Sequence, residues 1–183
     1  MVGFGCDNAE LGKQIAPFML GMTDDLDHKL RIAVGASVVG EPAGKVELEE
    51  WPESIQENVK RSEKLQEMIS SMRDVWGSTE DVWEIDVDGY VLLMERNESY
   101  TTWDDYAIER GMWLMVFERS CLLDDLSHYT FANDRYPGKL AHYGVYCEDH
   151  LIDIVTDAIP IVRKLTAEEI HAWGIEDKDD SMV

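Results

Sequence analysis

The stretch HYGVYCEDHLID, residues 142–153, is the best candidate for a metal site in this chain. His142, Cys147, His150 and Asp153 are all side chains of the kinds that bind Zn²⁺ in proteins. His150 and Asp153 would share one face of the helix that is predicted to follow Cys147. His142 and Cys147, in contrast, would point to opposite faces of a strand. Zinc ligands must converge on one point, and this spacing does not achieve it, so the sequence predicts no bound metal and no cofactor.

A cysteine beside a histidine can also act as a nucleophile with its base, and Cys147 lies near His142 and His150 in the sequence. A single cysteine in such a position is more often a small buried hydrophobic residue, and this is the interpretation we favour. Cys6 and Cys121 have still less chemistry around them. Three thiols without metal-type spacing are typical of a reducing compartment, and we therefore expect a cytoplasmic protein.

Two stretches place paired carboxylates before a histidine, TDDLDH at 23–28 and LLDDLSH at 122–128. Such pairs serve acid–base catalysis or bind divalent cations. Neither stretch has the spacing or the glycine of an EF-hand loop, and charges at helix ends explain both. The chain also has no glycine-rich phosphate loop and no basic patch with interleaved aromatic residues. The sequence therefore disfavours nucleotide binding and direct nucleic-acid binding.

The elements that must position these residues are predicted to be mainly helical. Spacings of three and four between apolar residues indicate six helices. They cover residues 8–20, 24–39, 52–76, 102–126, 149–160 and 167–174. Thr166 and Glu169 form a capping box for the last of them. A strand over Arg31–Val39 competes with the second helix, and a strand over GMWLMVF competes with the fourth.

Two stretches predict a small antiparallel sheet. KLAHYGVYC alternates weakly and indicates a strand, and Asp88-Gly89 is a strong signal for a two-residue hairpin turn. The predicted cross-strand pairs are Val87 with Tyr90, Ile85 with Leu92 and Trp83 with Met94, and all six side chains would face the core. We expect an α+β, mainly helical single domain over residues 1–176, with a hairpin at about 82–96. A frayed acidic tail at 177–183 would follow.

The charge balance is unusual for a chain of 183 residues. There are 38 acidic and 16 basic side chains, which gives a net charge of −22 and a pI of about 4.3. This charge repels nucleic acid and anionic membrane surfaces and attracts basic proteins. The chain has no apolar run long enough to span a membrane. Its excess negative charge equals that of roughly 11 base pairs of duplex DNA, a length of about 37 Å. A compact domain of this length is itself about 40 Å across.

The outer face of the predicted hairpin offers a place for such a partner. Carboxylates there would surround partly exposed apolar residues, and the face consists of Glu84, Asp86, Asp88, Glu95, Val91 and Leu93. The preceding acidic stretch is predicted to extend it with Glu47, Glu49, Glu50, Glu53 and Glu57. The sequence therefore predicts an acidic interaction module that occupies the basic site of a nucleic-acid-binding protein or nuclease and inhibits it. Counter-defence and immunity proteins act in this way.

Three other functions stay open. The acidity could be an adaptation to salt, or the chain could be an acidic partner subunit or adaptor. The main alternative is a small enzyme whose site is assembled from residues distant in the sequence, such as His142, Asp153 and His171, and which could depend on a metal. Fold class does not decide between these functions.

Overall fold

The protein is mainly β, and the mainly helical prediction is wrong. The computed structural model describes residues 16–42, 44, 48, 49 and 51–176. Its strands form a four-stranded sheet in the order β1-β2-β3-β9 and a five-stranded sheet in the order β4-β8-β7-β6-β5.

Nine strands and four α-helices make up the described part of the chain. The strands are β1 Phe18–Asp24, β2 Lys29–Pro42, β3 Arg73–Asp88, β4 Leu92–Asn97, β5 Ile108–Arg110, β6 Leu114–Arg119, β7 Ala141–Tyr146, β8 His150–Thr156 and β9 Ile161–Lys164. The α-helices are α1 Glu53–Arg61, α2 Glu63–Ser70, α3 Cys121–Tyr129 and α4 Ala167–Ala172, and a 3-10 turn spans Glu98–Tyr100. None of the helices in the described part is long and apolar enough to cross a membrane.

The described residues fall into two compact units. The first contains the chain up to Ser37 and again from Gly77 onward, and it holds the five-stranded sheet. The second is Val38–Trp76, with α1, α2 and the adjoining ends of β2 and β3; Val59 and Ile69 are its buried apolar residues. Whether the two units fold as the single domain expected from chain length stays a prediction.

The core of the first unit lies between the two sheets. Alternate residues of each strand point to opposite faces of a sheet, so every second side chain of a strand faces this core. The four-stranded sheet contributes Leu30, Ile32, Val34, Trp83, Ile85, Val87 and Val162. The five-stranded sheet contributes Leu114, Tyr143, Val145, Ile152 and Ile154. The residues between them on each strand therefore point away from this core, onto the outer face of each sheet.

The predicted hairpin at 82–96 is wrong. β3 pairs antiparallel with β9, with Ile85 opposite Val162, while β4 pairs antiparallel with β8, with Met94 opposite Asp153. The Asp88-Gly89 turn, in which Gly89 has φ 90°, therefore passes the chain from one sheet to the other. A turn signal reports only a local reversal of the chain, and the partner of each strand is chosen by packing.

The predicted core face is correct before that turn and only in part after it, where Tyr90 packs against the core as predicted. Trp83, Ile85 and Val87 face the core as predicted. On β4 it is Leu93 that packs against the core, whereas Met94 lines a cavity on the opposite face.

Strands also replace most of the predicted helices. The first competing strand alternative is correct, because β2 contains Arg31–Val39, and the second is correct in part, because β6 overlaps GMWLMVF from Leu114 to Phe117. β8 replaces the helix predicted from Asp149. Between its polar end residues it is apolar on both faces except at Asp153, and a strand buried on both faces shows no clean alternation.

The helix predicted for 52–76 is two helices followed by a strand. Ser62 has extended φ/ψ angles and caps α2, since its side chain accepts a hydrogen bond from the Leu65 amide. The strand predicted in KLAHYGVYC is confirmed as β7, and the capping box of Thr166 and Glu169 is confirmed at α4. The first predicted helix is wrong where it overlaps β1, and its first eight residues, like the tail 177–183, lie outside the described residues.

Candidate active site in a cavity on the five-stranded sheet

A cavity of about 540 Å³ opens on the outer face of the five-stranded sheet. Met94, Phe117, His142, Tyr146 and Asp153, on four adjacent strands, form its floor. Residues of the 102–109 segment and of α3 form its walls. A cavity of this size, with a few buried polar groups, is the usual form of a small-molecule site.

The polar floor depends on the register of β7 and β8. His142, Gly144 and Tyr146 lie on one face of β7, and Gly144 is directly opposite Asp153. A Cβ atom at position 144 would lie 2.9 Å from Tyr146 Cε1, closer than side-chain carbons approach. The glycine therefore leaves the space in which the side chains on either side of it reach the same carboxylate.

Asp153 is the centre of this network and is only 1% exposed. Its Oδ1 accepts hydrogen bonds from His142 Nε2 at 2.9 Å and from the Tyr146 hydroxyl at 2.8 Å. Its Oδ2 accepts from Arg96 Nε at 3.1 Å and from Arg96 Nη2 at 2.7 Å. Burial raises the pKa of the carboxyl. This effect is outweighed by the hydrogen bond and charge of His142, by the charge of Arg96 and by the hydrogen bond from Tyr146, so the pKa lies below its usual value. Asp153 is therefore ionised at neutral pH.

The same contacts keep Tyr146 protonated. Burial raises the pKa of its phenol, and the charge and hydrogen bond of Asp153 raise it further. Tyr146 is thus a permanent hydrogen-bond donor to the carboxylate, and it also accepts a bond from Arg96 Nη2 at 3.3 Å.

His142 connects the carboxylate to a serine. An ionised carboxylate only accepts hydrogen bonds, so Nε2 of His142 carries a proton, and in the neutral ring Nδ1 is then the acceptor. Nδ1 is 2.9 Å from the Ser120 Oγ, which places the serine hydroxyl as its donor. The Phe117 ring stacks on the imidazole at 4.0 Å between ring centroids and holds its plane.

Ser120 stands between the end of β6 and the start of α3. It is the N-cap of α3, and its Oγ accepts a hydrogen bond from the Leu123 amide at 3.1 Å. The residue is 1% exposed but belongs to the cavity lining. Ser120, His142 and Asp153 therefore form the nucleophile, base and orienting-acid arrangement that recurs in serine-dependent acyl transfer.

The cavity walls are acidic. Besides Asp153, its described lining contains the carboxylates of Asp104, Asp105, Glu109 and Asp125, and one arginine, Arg96. Trp103 is 69% exposed on the same wall, and its ring centroid lies 5.9 Å from that of Tyr146.

Cys121 also lines the cavity but is a poor nucleophile. Its amide donates a hydrogen bond to Asp104 Oδ2 at 2.8 Å and its thiol donates to Asp104 Oδ1 at 3.3 Å. The hydrogen bond from the Cys121 amide lowers the pKa of the Asp104 carboxyl, while the hydrogen bond from the thiol to this carboxylate raises the pKa of Cys121. Because the thiolate is the reactive form, Asp104 holds the sulfur in its less reactive state.

Two of the residues predicted to bind a partner, Glu84 and Glu95, lie on different sheets. Glu84 is 1% exposed on the outer face of the four-stranded sheet. It accepts hydrogen bonds from Arg31, from Arg163 Nη2 at 2.7 Å and from Trp173 Nε1 at 3.0 Å, so it is closed to a partner. Glu95 belongs to the other sheet and pairs with His150 at 3.4 Å.

The remaining predicted partner-binding residues differ in exposure. Asp88 is exposed and lies 3.5 Å from Lys29 Nζ, whereas Asp86, Val91 and Leu93 are partly exposed. In the second unit, Glu49, Glu53 and Glu57 are exposed, and Glu47 and Glu50 lie outside the described residues. Whether any of these residues contacts a partner stays a prediction.

Of the four metal-ligand candidates, only His142 and Asp153 come together. Cys147 lies in the core between the sheets, as the opposite-face prediction requires, and burial raises its pKa. His150 is on β8 rather than on a helix and pairs with Asp149 Oδ2 at 3.0 Å. Among the residues that the structure describes, no group of three or more His, Cys, Asp or Glu side chains is arranged to hold a metal. His171, on α4, is not part of the cavity lining.

Sequence reasoning missed Ser120, Arg96 and Tyr146. The helix predicted for 102–126 placed Ser120 in its interior, and only the β6–α3 boundary reveals the serine as a cap. Arg96 and Asp153 are 57 residues apart, and no local pattern connects them.

Comparisons of this chain with protein-family models, with curated proteins and with solved structures found no match.

Proposed function

We propose that the protein is a small serine-dependent hydrolase of carboxylic esters and that this cavity is its active site. The observation that supports the proposal is the Ser120–His142–Asp153 hydrogen-bond chain, with two links of 2.9 Å each, beside a cavity of about 540 Å³. This is the enzyme alternative of the sequence analysis, with Ser120 added as the nucleophile.

The reaction uses each group in a defined role. Ser120 Oγ attacks the ester carbonyl carbon while His142 Nδ1 takes the hydroxyl proton, and the charged imidazolium is stabilised by Asp153. The leaving alkoxide takes that proton from Nδ1 as the carbon–oxygen bond breaks, which leaves an acyl group on Ser120. Water, deprotonated by His142, then attacks the acyl carbon, releases the carboxylic acid and restores the serine hydroxyl.

One feature of the site favours negative charge where the reaction develops it. The positive end of the α3 dipole lies at Ser120 Oγ, which favours an alkoxide there.

Labelling with a fluorophosphonate tests this proposal. The probe forms a phosphonyl ester with an activated serine and releases fluoride, and peptide mass spectrometry locates the adduct. We expect an adduct on Ser120, and its loss in Ser120→Asn and in His142→Asn. Asn is as good an N-cap as Ser, so the first variant removes the nucleophile and keeps the cap.

Ser127 is the matched control for this experiment, since it lies on the same helix and is exposed. Ser127→Ala should label at the wild-type rate. An adduct that forms on Ser127 as fast as on Ser120, or no adduct on the folded protein at all, would contradict the proposal.

A second candidate function is the acidic interaction module predicted from the charge balance. The observation that favours it is that buried carboxylates occupy three of the arginines: Arg31 and Arg163 pair with Glu84, and Arg96 pairs with Asp153. These internal pairs leave the exposed carboxylates with fewer counter-charges. In this proposal, the protein binds a basic nucleic-acid-binding protein and blocks its site.

Binding to a nonspecific basic DNA-binding protein tests the second candidate. Affinity should fall as salt rises, duplex DNA should compete, and the triple change of Asp86, Asp88 and Glu95 to Lys should weaken binding at least tenfold. Glu84 is left unchanged because reversing a buried charge would unfold the sheet. Binding that survives the triple change would show that the segment around the β3–β4 turn is not the contact.

We also propose a cytoplasmic location. Cys121 and Cys147 are free thiols, one exposed and one buried, and exposed free thiols persist in reducing compartments. Cell fractionation with an antibody to the protein would test this location.

A further inference from the structure

We infer that the substrate of this cavity carries a positively charged ammonium group, and this inference rests on the proposed hydrolase function. The first argument is the charge of the lining. Asp153 is neutralised by Arg96, its bidentate partner at 2.7 and 3.1 Å. The described lining then leaves Asp104, Asp105, Glu109 and Asp125 without a second cation among its members, so the walls are negative.

The aromatic lining gives a second and independent argument. Trp103, Tyr129 and Tyr146 line the same cavity. The Trp103 and Tyr146 ring planes meet at 55° with their centroids 5.9 Å apart, so the two rings are neighbours in the cavity lining. Aromatic faces attract alkylated ammonium groups, and carboxylates beside them add to this attraction.

The chemistry of the reaction requires the same charge. Four carboxylates around the cavity oppose the negative tetrahedral intermediate, because like charges repel strongly in a partly closed site. A cation carried by the substrate offsets this repulsion at the moment when the oxyanion forms. A neutral ester would leave the repulsion uncompensated, and an anionic ester would increase it.

The size of the cavity limits the substrate to a small molecule. A volume of about 540 Å³ lies in the range of sites that enclose metabolite-sized ligands. The geometry therefore points to esters of small amino alcohols or of amino acids, in which the ammonium group lies a few bonds from the ester carbonyl.

Equilibrium binding tests the inference without requiring turnover. The probes are choline and its neutral isostere 3,3-dimethyl-1-butanol, and the signal is the indole N–H resonance of Trp103, assigned with Trp103→Phe. We expect choline to bind at least tenfold more tightly, and we expect salt to reduce the difference.

Charge-removing variants locate the effect. Asp105→Asn and Asp125→Asn should each weaken choline binding about threefold or more and leave the alcohol unaffected. Asp27→Asn is the control, since Asp27 is exposed and outside the cavity lining, and it should change neither affinity.

The outcomes separate this inference from the proposed function. Equal affinity for the two probes, or an equal effect of Asp27→Asn, would overturn the inference, whereas an adduct on Ser120 would still support the hydrolase. A tenfold preference for choline without any adduct on Ser120 would support the cation site and overturn the hydrolase.

Discussion

Replacing Asp153 with Asn tests whether this carboxylate orients a catalytic base or only holds the sheet together. Four donor groups point at its two oxygens, from His142, Tyr146 and Arg96. An amide of the same shape has one acceptor oxygen and one donor nitrogen, so it cannot satisfy all of them.

The contacts set the size of the expected effect on stability. If the amide oxygen replaces Oδ1, the bonds from His142 and Tyr146 remain, and the amide nitrogen faces the Arg96 guanidinium. Two charge-assisted bonds are then lost, each worth about 1.5–3 kcal/mol. Arg96 is 30% exposed, so water recovers part of this loss, and we expect a net loss of about 3 kcal/mol. For a chain of this length, that lowers Tm by roughly 6–12 °C.

The effect on chemistry should be far larger than the effect on stability. Without the carboxylate charge, the imidazolium that forms when His142 takes the serine proton loses its counter-ion. If instead the Asn amide nitrogen faces His142, it donates a hydrogen bond to Nε2, and the imidazole then carries its proton on Nδ1. In that tautomer His142 cannot accept the serine proton. In the serine-protease template, the same substitution costs about 10⁴ in rate, and we expect fluorophosphonate labelling of Ser120 to slow by about 10³ or more.

Glu84→Gln is the matched control, because Glu84 is equally buried and also bound to arginines, but it lies on the other sheet. Urea and thermal unfolding should show comparable destabilisation of the two variants. Labelling, measured well below both Tm values, should be unchanged in Glu84→Gln. Equal labelling of the two variants would refute the catalytic assignment of Asp153 and leave it a structural residue.

Three further predictions concern pH, thiol reactivity and packing. The pKa of Asp153 is lower in the folded state than its unfolded value near 3.9, so the ionised carboxylate stabilises the fold above pH 3.9. The difference in unfolding free energy between the wild type and Asp153→Asn should therefore shrink as the pH falls below 3.9 and vanish below the folded pKa. Urea unfolding at a series of pH values measures this difference. Asp104→Asn should lower the pKa of Cys121 and speed its alkylation by iodoacetamide at pH 8 several-fold, and an unchanged rate in a Cys6→Ser background would contradict the proposed thiol–carboxylate bond. Gly144→Ala places a methyl group 2.9 Å from the Tyr146 ring and should destabilise the protein by about 1–3 kcal/mol in thermal unfolding; a neutral effect would mean that the ring moves freely.

Part of the fold could be predicted because some structural features depend only on residues that are close together in the sequence. The capping box of Thr166 and Glu169 is one, and the inward face formed by Trp83, Ile85 and Val87 is another. The helix spacings were misleading where a strand is buried on both faces. In HLIDIVT the apolar residues on the core face and on the cavity face are adjacent in sequence, and their spacing imitates a helix.

The candidate site was less predictable than the fold. The sequence marks His142 and Asp153 together as possible enzyme-site residues, but no pattern in it shows that their side chains meet. Ser120 carried no signal at all, because a serine becomes a cap only where a helix begins, and that boundary was placed elsewhere.

The amino-acid sequence alone determined the net charge of −22, the inward face of β3 and the last helix with its cap, because each depends on composition or on neighbours within a few positions. Only the tertiary structure decided that the chain crosses between sheets at Gly89 and that Ser120, His142 and Asp153 meet. The physical reason is that strand partners and register are selected by the total burial of apolar surface over the whole sandwich. That selection joins residues tens of positions apart, and no local pattern encodes it.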